Sequence, residues 1–216
     1  MSWTWVFSNL DLIWSLLQVH VMLSVLPILI GLALALPIGF AAFRYPKVYP
    51  PLLVASSVAY SIPSLALFVA FPAILGTGIL DPVNVIAALT IYTLALLIRN
   101  VVDGLRATSD EVRQSAVSMG FPRWRQLLQV ELPIAVPLIV SGLRVATVAN
   151  ISMVSVGAII GVGGLGDLFT IGFSRSFLTP LIVGMVLSVL LALLADTLLV
   201  LAQRWLTPWA RVGRFA

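Results

Sequence analysis

Residues 21–43 run for 23 positions without an acidic or basic side chain. A helix of about 20 apolar residues crosses the hydrocarbon core of a bilayer. The same kind of window recurs at 52–71, 83–102, 134–160 and 180–203, interrupted only by Arg99, Arg144 and Asp196. Charged residues make up 9% of the chain, against roughly 25% in a soluble domain. A soluble globule of this size could not cover its surface with so few polar groups. Soluble enzymes, disordered chains and nucleic-acid-binding domains are thereby excluded, and an all-α polytopic membrane protein of about five spans is expected.

Residues 7–19 are apolar but short, and Asp11 and Gln18 interrupt them. With Trp3, Trp5 and Trp14 nearby, residues 1–20 read as an interfacial segment. A sixth span is the alternative. No basic residue or cleavage site marks the first residues as a cleaved signal, so the first span is expected to serve as the insertion signal.

Basic residues are distributed unevenly along this layout. Five spans place Arg44, Lys47, Arg99, Arg106, Arg113, Arg123, Arg125, Arg204, Arg211 and Arg214 on one side, ten of the twelve basic residues. Arg175 alone falls on the other, and Arg144 lies within a span. Cytoplasmic loops carry the excess of Lys and Arg. The expected topology has the N-terminus outside and a basic tail, 208–216, in the cytoplasm. The positive charge is an orientation signal rather than a nucleic-acid footprint. Cysteine is absent and His20 is the only histidine, so no disulfide or His/Cys metal site is expected. His20 reads as an interfacial polar residue.

The long polar loop, 103–133, is built as helix, turn, helix. Ser109 suits an N-cap, and Asp110 and Glu111 suit the first turn, where the helix dipole favours negative charge. Gly120 suits a left-handed stop and Pro122 the start of the next helix. Pro133 is expected to close the segment before the fourth span. Within it, Gln114-Ser115-Ala116, three residues, Gly120, nine residues, Val130, one residue and Leu132-Pro133 follow one another.

That spacing resembles the cytoplasmic loop of permease subunits of bacterial type I ABC importers, Glu-Ala-Ala, three residues, Gly, nine residues, Ile, one residue, Leu-Pro. Gln, Ser and Val replace Glu, the first Ala and Ile here. Ile62-Pro63-Ser64-Leu65-Ala66, Glu131 to Pro137 and Gly161 to Asp167 look like the osmoprotectant subfamily, which imports glycine betaine, carnitine and choline. The resemblance covers roughly residues 20–207. It implies an inner-membrane domain over 21–207, paired with a second permease copy or paralogue and served by an extracytoplasmic solute-binding protein. It implies docking on an ABC ATPase dimer through Glu111, Gln114, Ser115, Ala116, Gly120, Trp124, Arg125, Leu132 and Pro133. ATP and Mg are expected on that ATPase, because this chain lacks the Gly-x-x-x-x-Gly-Lys-Ser/Thr loop and its only lysine is Lys47. No cofactor or catalytic residue is expected here. A permease for methionine or another amino acid is the nearest alternative. An ATP-independent transporter or channel is a different class, and a membrane enzyme lacks an acid, base and nucleophile.

Other signals have two readings. Gly161-Val162-Gly163-Gly164-Leu165-Gly166 fits the dinucleotide fingerprint but follows a membrane helix, so the glycines are read as allowing a tight outer turn and close packing against the partner subunit. Pro63, flanked by Tyr60, Ser61 and Ser64, either opens a helix along a solute path or kinks it within protein. Asn150, Ser152 and Ser155 either line that path or hold helices together. Arg144 lies 11 residues past Pro133 and Asp196 eight before Arg204, or ~16 and ~12 Å deep along their helices. These depths permit an ion pair, the alternative being an Arg144 that snorkels to the interface. Trp124, between Arg123 and Arg125, suits an ATPase contact or a place in the headgroup layer.

Overall fold

The computed structural model describes residues 2–209. Arg211, Arg214 and most of the basic tail lie outside the described residues. A short helix, α1 (Trp3–Ser8), is capped by Ser2, whose hydroxyl accepts the Trp5 N–H. Helix α2 (Leu10–Arg44) then runs unbroken for 35 residues, about 52 Å. Residues 10–20 are therefore continuous with the first apolar window rather than a helix of their own. No Pro or Gly interrupts residues 10–26 to end the helix. Asp11 sits in its first turn, and Ile13 and His20 continue its buried face.

Helices α3 (Tyr49–Ser61) and α4 (Ser64–Leu75) replace the expected straight second span and meet at 100°. Proline forces the residue before it out of the helical region, and Ile62 is extended at ψ 131°. The freed Ile62 carbonyl accepts a hydrogen bond from the Tyr92 hydroxyl. Backbone broken at membrane depth needs such a partner.

Helix α5 (Pro82–Arg106) starts at Asp81, whose carboxylate accepts the Val83 N–H at 2.9 Å. It is the central helix and packs mainly on α2 and on the long helix that begins at Leu132. Between them, α6 (Asp110–Ser118) and α7 (Arg123–Gln126) form the polar hairpin. A wide turn, Leu127–Glu131, leads from α7 into α8 (Leu132–Val154). Pro133 thus does not close the segment. The Leu132 N–H reaches back five residues to the Leu127 carbonyl, and this widened turn lets the helix continue through a residue without an N–H.

After α8 come two tight turns, Ser155–Ile160 and Gly164–Gly166, then α9 (Asp167–Ser174) and α10 (Leu178–Leu206). Among the described residues four helical segments are long and apolar enough to cross a membrane, or five if the bent α3–α4 pair is one span. The core has three centres. Leu23, Phe68, Leu89 and Tyr92 form one, Leu97, Val101, Ala135 and Leu143 the second, and Ile13, Leu165, Leu168 and Val183 the third. Helix α10 buries only its first turns. Val186, Leu190, Leu193, Leu194 and Leu198 are exposed on the chain, as suits a face toward lipid.

Candidate functional site: a docking hairpin and a membrane cavity

The α6–α7 hairpin turns on Gly120. The Phe121 N–H bonds the Ala116 carbonyl at 3.0 Å and the Gly120 N–H bonds the Val117 carbonyl at 2.9 Å. These two bonds are the Schellman stop, which requires a left-handed residue. Gly120 supplies it at φ +78°. Ala116 is buried, and the Ser115 hydroxyl bonds back to the Glu111 carbonyl at 2.8 Å. The Ser109 hydroxyl holds the Glu111 carboxyl below the usual carboxylate range. Glu111, Gln114, Ser115 and Arg125 are exposed, and Leu132 and Pro133 are half-buried. Val117, Met119, Trp124 and Leu128 are all more than half exposed. The Arg125 guanidinium lies 5.7 Å from the Trp124 ring. A rim of charge around an exposed apolar ridge is the composition of a protein contact.

Arg113 ties this hairpin to the membrane helices. Its Nε donates to Glu131 at 3.1 Å, one terminal nitrogen to the Leu105 carbonyl at 2.9 Å, and the other to Asp110 at 3.2 Å. Its guanidinium also lies 5.2 Å from the Phe43 ring. One side chain therefore links α6 to α2, α5 and the turn before α8. Sequence reasoning singles out neither Arg113 nor Glu131 as a pair. The signal was a lone acidic residue beside Leu132-Pro133, 18 positions from an arginine on the same hairpin.

The residues expected along a solute path separate into two groups. Tyr60, Ser61 and Pro63 are exposed at the α3–α4 bend, and Ser64 is half-buried there. The Tyr60 and Tyr92 rings meet edge to face, 5.6 Å between centroids. Ser152 is exposed on α8, and Ser155 is half-buried in the turn after it. Asn150 instead belongs to the packed core. It is buried and donates to the Thr93 hydroxyl at 2.9 Å, joining α8 to α5. Burial without such a bond would be costly. A cavity of about 310 Å³ lies between α3 and α5. Ser56, Ser57 and Tyr60 line it from α3, and Leu96, Arg99 and Asn100 from α5.

Arg144 and Asp196 face each other. Nε donates to Oδ1 at 2.6 Å and a terminal nitrogen to Oδ2 at 2.8 Å. Both side chains remain about a third exposed, so the pair sits at the edge of the α8–α10 contact. Removing one partner strands the other charge in an apolar setting. Asp196→Ala is expected to lower the thermal midpoint of the purified protein by several degrees. Arg144→Asp combined with Asp196→Arg is expected to recover at least half of that loss.

His20 is not interfacial. It is fully buried, accepts the Leu165 N–H on Nδ1 at 3.2 Å, and so donates from Nε2 to the Ile151 carbonyl at 3.0 Å. It clamps α2 to α8 and to the Gly164 turn. The glycines of 161–166 likewise pack on their own chain rather than only outward. A Cβ on Gly163 would stand 2.4 Å from Ala158, and one on Gly164 2.7 Å from His20. Among the described residues no strand precedes this glycine run, so the strand–turn–helix setting of the dinucleotide fingerprint is not formed here.

Residues 27–212 match the family of binding-protein-dependent transport system inner membrane components. The chain belongs to this family. The osmoprotectant import permease protein OsmW of Salmonella typhimurium is 32% identical over 207 residues, covering 94% of this permease and 96% of that protein. The glycine betaine/carnitine/choline transport system permease protein OpuCB of Bacillus subtilis is 31% identical, covering 88% and 86%. Among solved structures, the MetNI methionine ABC transporter in an inward-facing conformation superposes with TM-score 0.76 at 22% identity, over 96% of this permease and 100% of that chain. The protein is thus a multi-pass inner-membrane permease subunit of an ABC importer, related by sequence to osmoprotectant systems, with the type I importer fold. Membership implies an ATPase and a solute-binding protein as partners and no catalysis in the permease itself. An ATP-independent transporter or channel is excluded on the same ground.

Proposed function

We propose that this permease forms the membrane path for a small quaternary ammonium osmoprotectant of the glycine betaine, choline or carnitine type. An extracytoplasmic binding protein delivers the solute, and a second permease copy or paralogue completes the path. The α6–α7 hairpin faces the cytoplasm and docks on an ATPase dimer that carries ATP and Mg. Glu111, Gln114, Trp124 and Arg125 make the contact. Gly120 sets the angle between the two short helices, Ala116, Leu132 and Pro133 seat the hairpin on the bundle, and Ser115 stiffens α6. Closure of the ATPases moves the hairpin, and Arg113 passes that movement to α5 and α8.

The observation that carries this reading is the exposed apolar ridge on a hairpin anchored by one arginine to three other elements. A hairpin that merely joined two membrane spans would need neither. The chain contains no cysteine, so a single one can be introduced cleanly. Trp124→Cys is expected to cross-link to the ATPase subunit through a short bifunctional maleimide. Phe173→Cys, on α9 and 84% exposed, is expected to give no such product. Equal cross-linking from both positions contradicts the docking assignment. Substrate class rests on relatedness to the osmoprotectant permeases, and the fold likeness to a methionine transporter favours amino-acid import as the second reading.

A further inference from the structure

The cavity between α3 and α5 is lined by one arginine, Arg99. Leu53, Ser56, Ser57 and Tyr60 recur on one face of α3, at the three- and four-residue spacing of a helix stripe, and Leu96, Arg99 and Asn100 oppose them. Arg99 makes no hydrogen bond or ion pair among the described residues. Asp103, one turn further along α5, receives the Tyr49 hydroxyl at 3.2 Å and forms no ion pair with Arg99. Asn100 spends its amide on the Leu96 carbonyl. The cavity wall therefore offers one positive charge, two serine hydroxyls, an aromatic ring and no carboxylate. Its volume, about 310 Å³, lies at the small end of the range for small-molecule sites, ~300–1,000 Å³. Arg99 lies three residues, ~4.5 Å, inside the end of the 83–102 window, so the cavity sits toward the hairpin end of α5.

This wall has the pattern of a zwitterion site. Guanidinium groups pair with carboxylates through two parallel hydrogen bonds. Aromatic faces attract quaternary ammonium groups. Tyr60 is 40% exposed, and its edge-to-face contact with Tyr92 holds the ring in place at the cavity. A cation without a carboxylate meets the same ring but is repelled by Arg99.

We propose that this cavity is a carboxylate-selective station on the solute path. Arg99 receives the carboxylate of a zwitterionic betaine, Tyr60 faces its trimethylammonium group, and a bare cation such as choline is held less well. The assignment rests on the osmoprotectant reading above.

The test uses the assembled permease–ATPase complex in nanodiscs without binding protein. Saturation-transfer NMR reads the trimethylammonium protons that glycine betaine and choline share. The wild type is expected to give a glycine betaine signal at least about tenfold that of choline, the low end for one charge-assisted hydrogen bond. Arg99→Gln, assembled in the complex, is expected to lose that preference through loss of the betaine signal. Arg99→Lys is expected to keep part of it. Equal wild-type signals for the two solutes overturn the assignment, as does an Arg99→Gln complex that keeps the betaine preference. The wild-type ratio is decisive even if Arg99→Gln fails to assemble. Uptake of glycine betaine driven by the binding protein is measured beside it. Absence of uptake of any betaine sinks the osmoprotectant reading, whereas uptake with no preference in the NMR experiment sinks only the cavity assignment.

Discussion

Arg113→Ala is expected to leave the permease inserted and assembled while cutting ATP-driven uptake by about tenfold or more. The guanidinium makes three hydrogen bonds to groups on three elements, and Glu131 is buried at 7% exposure. Losing the arginine strands that carboxylate and frees the Leu105 carbonyl. Breaking a buried pair from one side costs about 3 kcal/mol or more. That loss falls where α6 joins the bundle, not in its interior, so the three core centres stay intact. The expected signature is an uncoupled complex, in which basal ATPase activity persists and its stimulation by loaded binding protein is lost. Arg113→Lys keeps the charge but not the fork of donors, so it is expected to recover only part of the stimulation. Equal transport by Arg113→Ala and wild type would show that the hairpin's anchorage has no part in coupling.

Gly164→Val is expected to prevent accumulation of folded protein. Gly164 has φ +52°, and a Cβ there would stand 2.7 Å from the His20 Cβ and 2.8 Å from its Cα and N. The left-handed backbone costs an L-residue roughly 1–2 kcal/mol. Forcing the overlap adds about 1–3 kcal/mol. Neither His20 nor its backbone can withdraw without breaking the bonds to Ile151 and Leu165 that join α2, α8 and the turn. Gly76 offers the control. It has φ +69° but nothing within 4 Å of a Cβ, so Gly76→Ala is expected to show backbone strain alone. Fluorescence-detected size exclusion separates the two outcomes. A monodisperse Gly164→Val peak of wild-type height would contradict the packing account.

The long apolar helices are legible in hydropathy because lipid exposure demands long apolar runs whatever the tertiary contacts. The Gly120 stop is legible for a local reason, since its two hydrogen bonds and Pro122 all lie within seven residues. Pro63 marks where the second span breaks. Its 100° bend also depends on Tyr92, 30 positions away, which takes up the freed carbonyl. His20 escapes sequence reasoning because its partners are backbone atoms 131 and 145 positions distant. Backbone groups leave no trace in side-chain pattern. Arg113 and Glu131 look like ordinary loop charges until the hairpin folds back on the bundle. Asn150 reads equally as path or packing in the sequence, because polarity alone does not say which way a membrane helix is turned, and its bond to Thr93 appears only once α5 and α8 pack. The unbroken α2 was obscured by Asp11 and Gln18, both tolerated in its first turns.

The central claim is that this chain couples ATP hydrolysis to osmoprotectant import. Its most direct test is uptake of labelled glycine betaine, choline and carnitine into proteoliposomes holding the permease, its ATPase and its binding protein. The account predicts saturable uptake of at least one of the three that stops when ATP or the binding protein is withheld. Uptake that continues without ATP would contradict it, as would transport of methionine with none of the three.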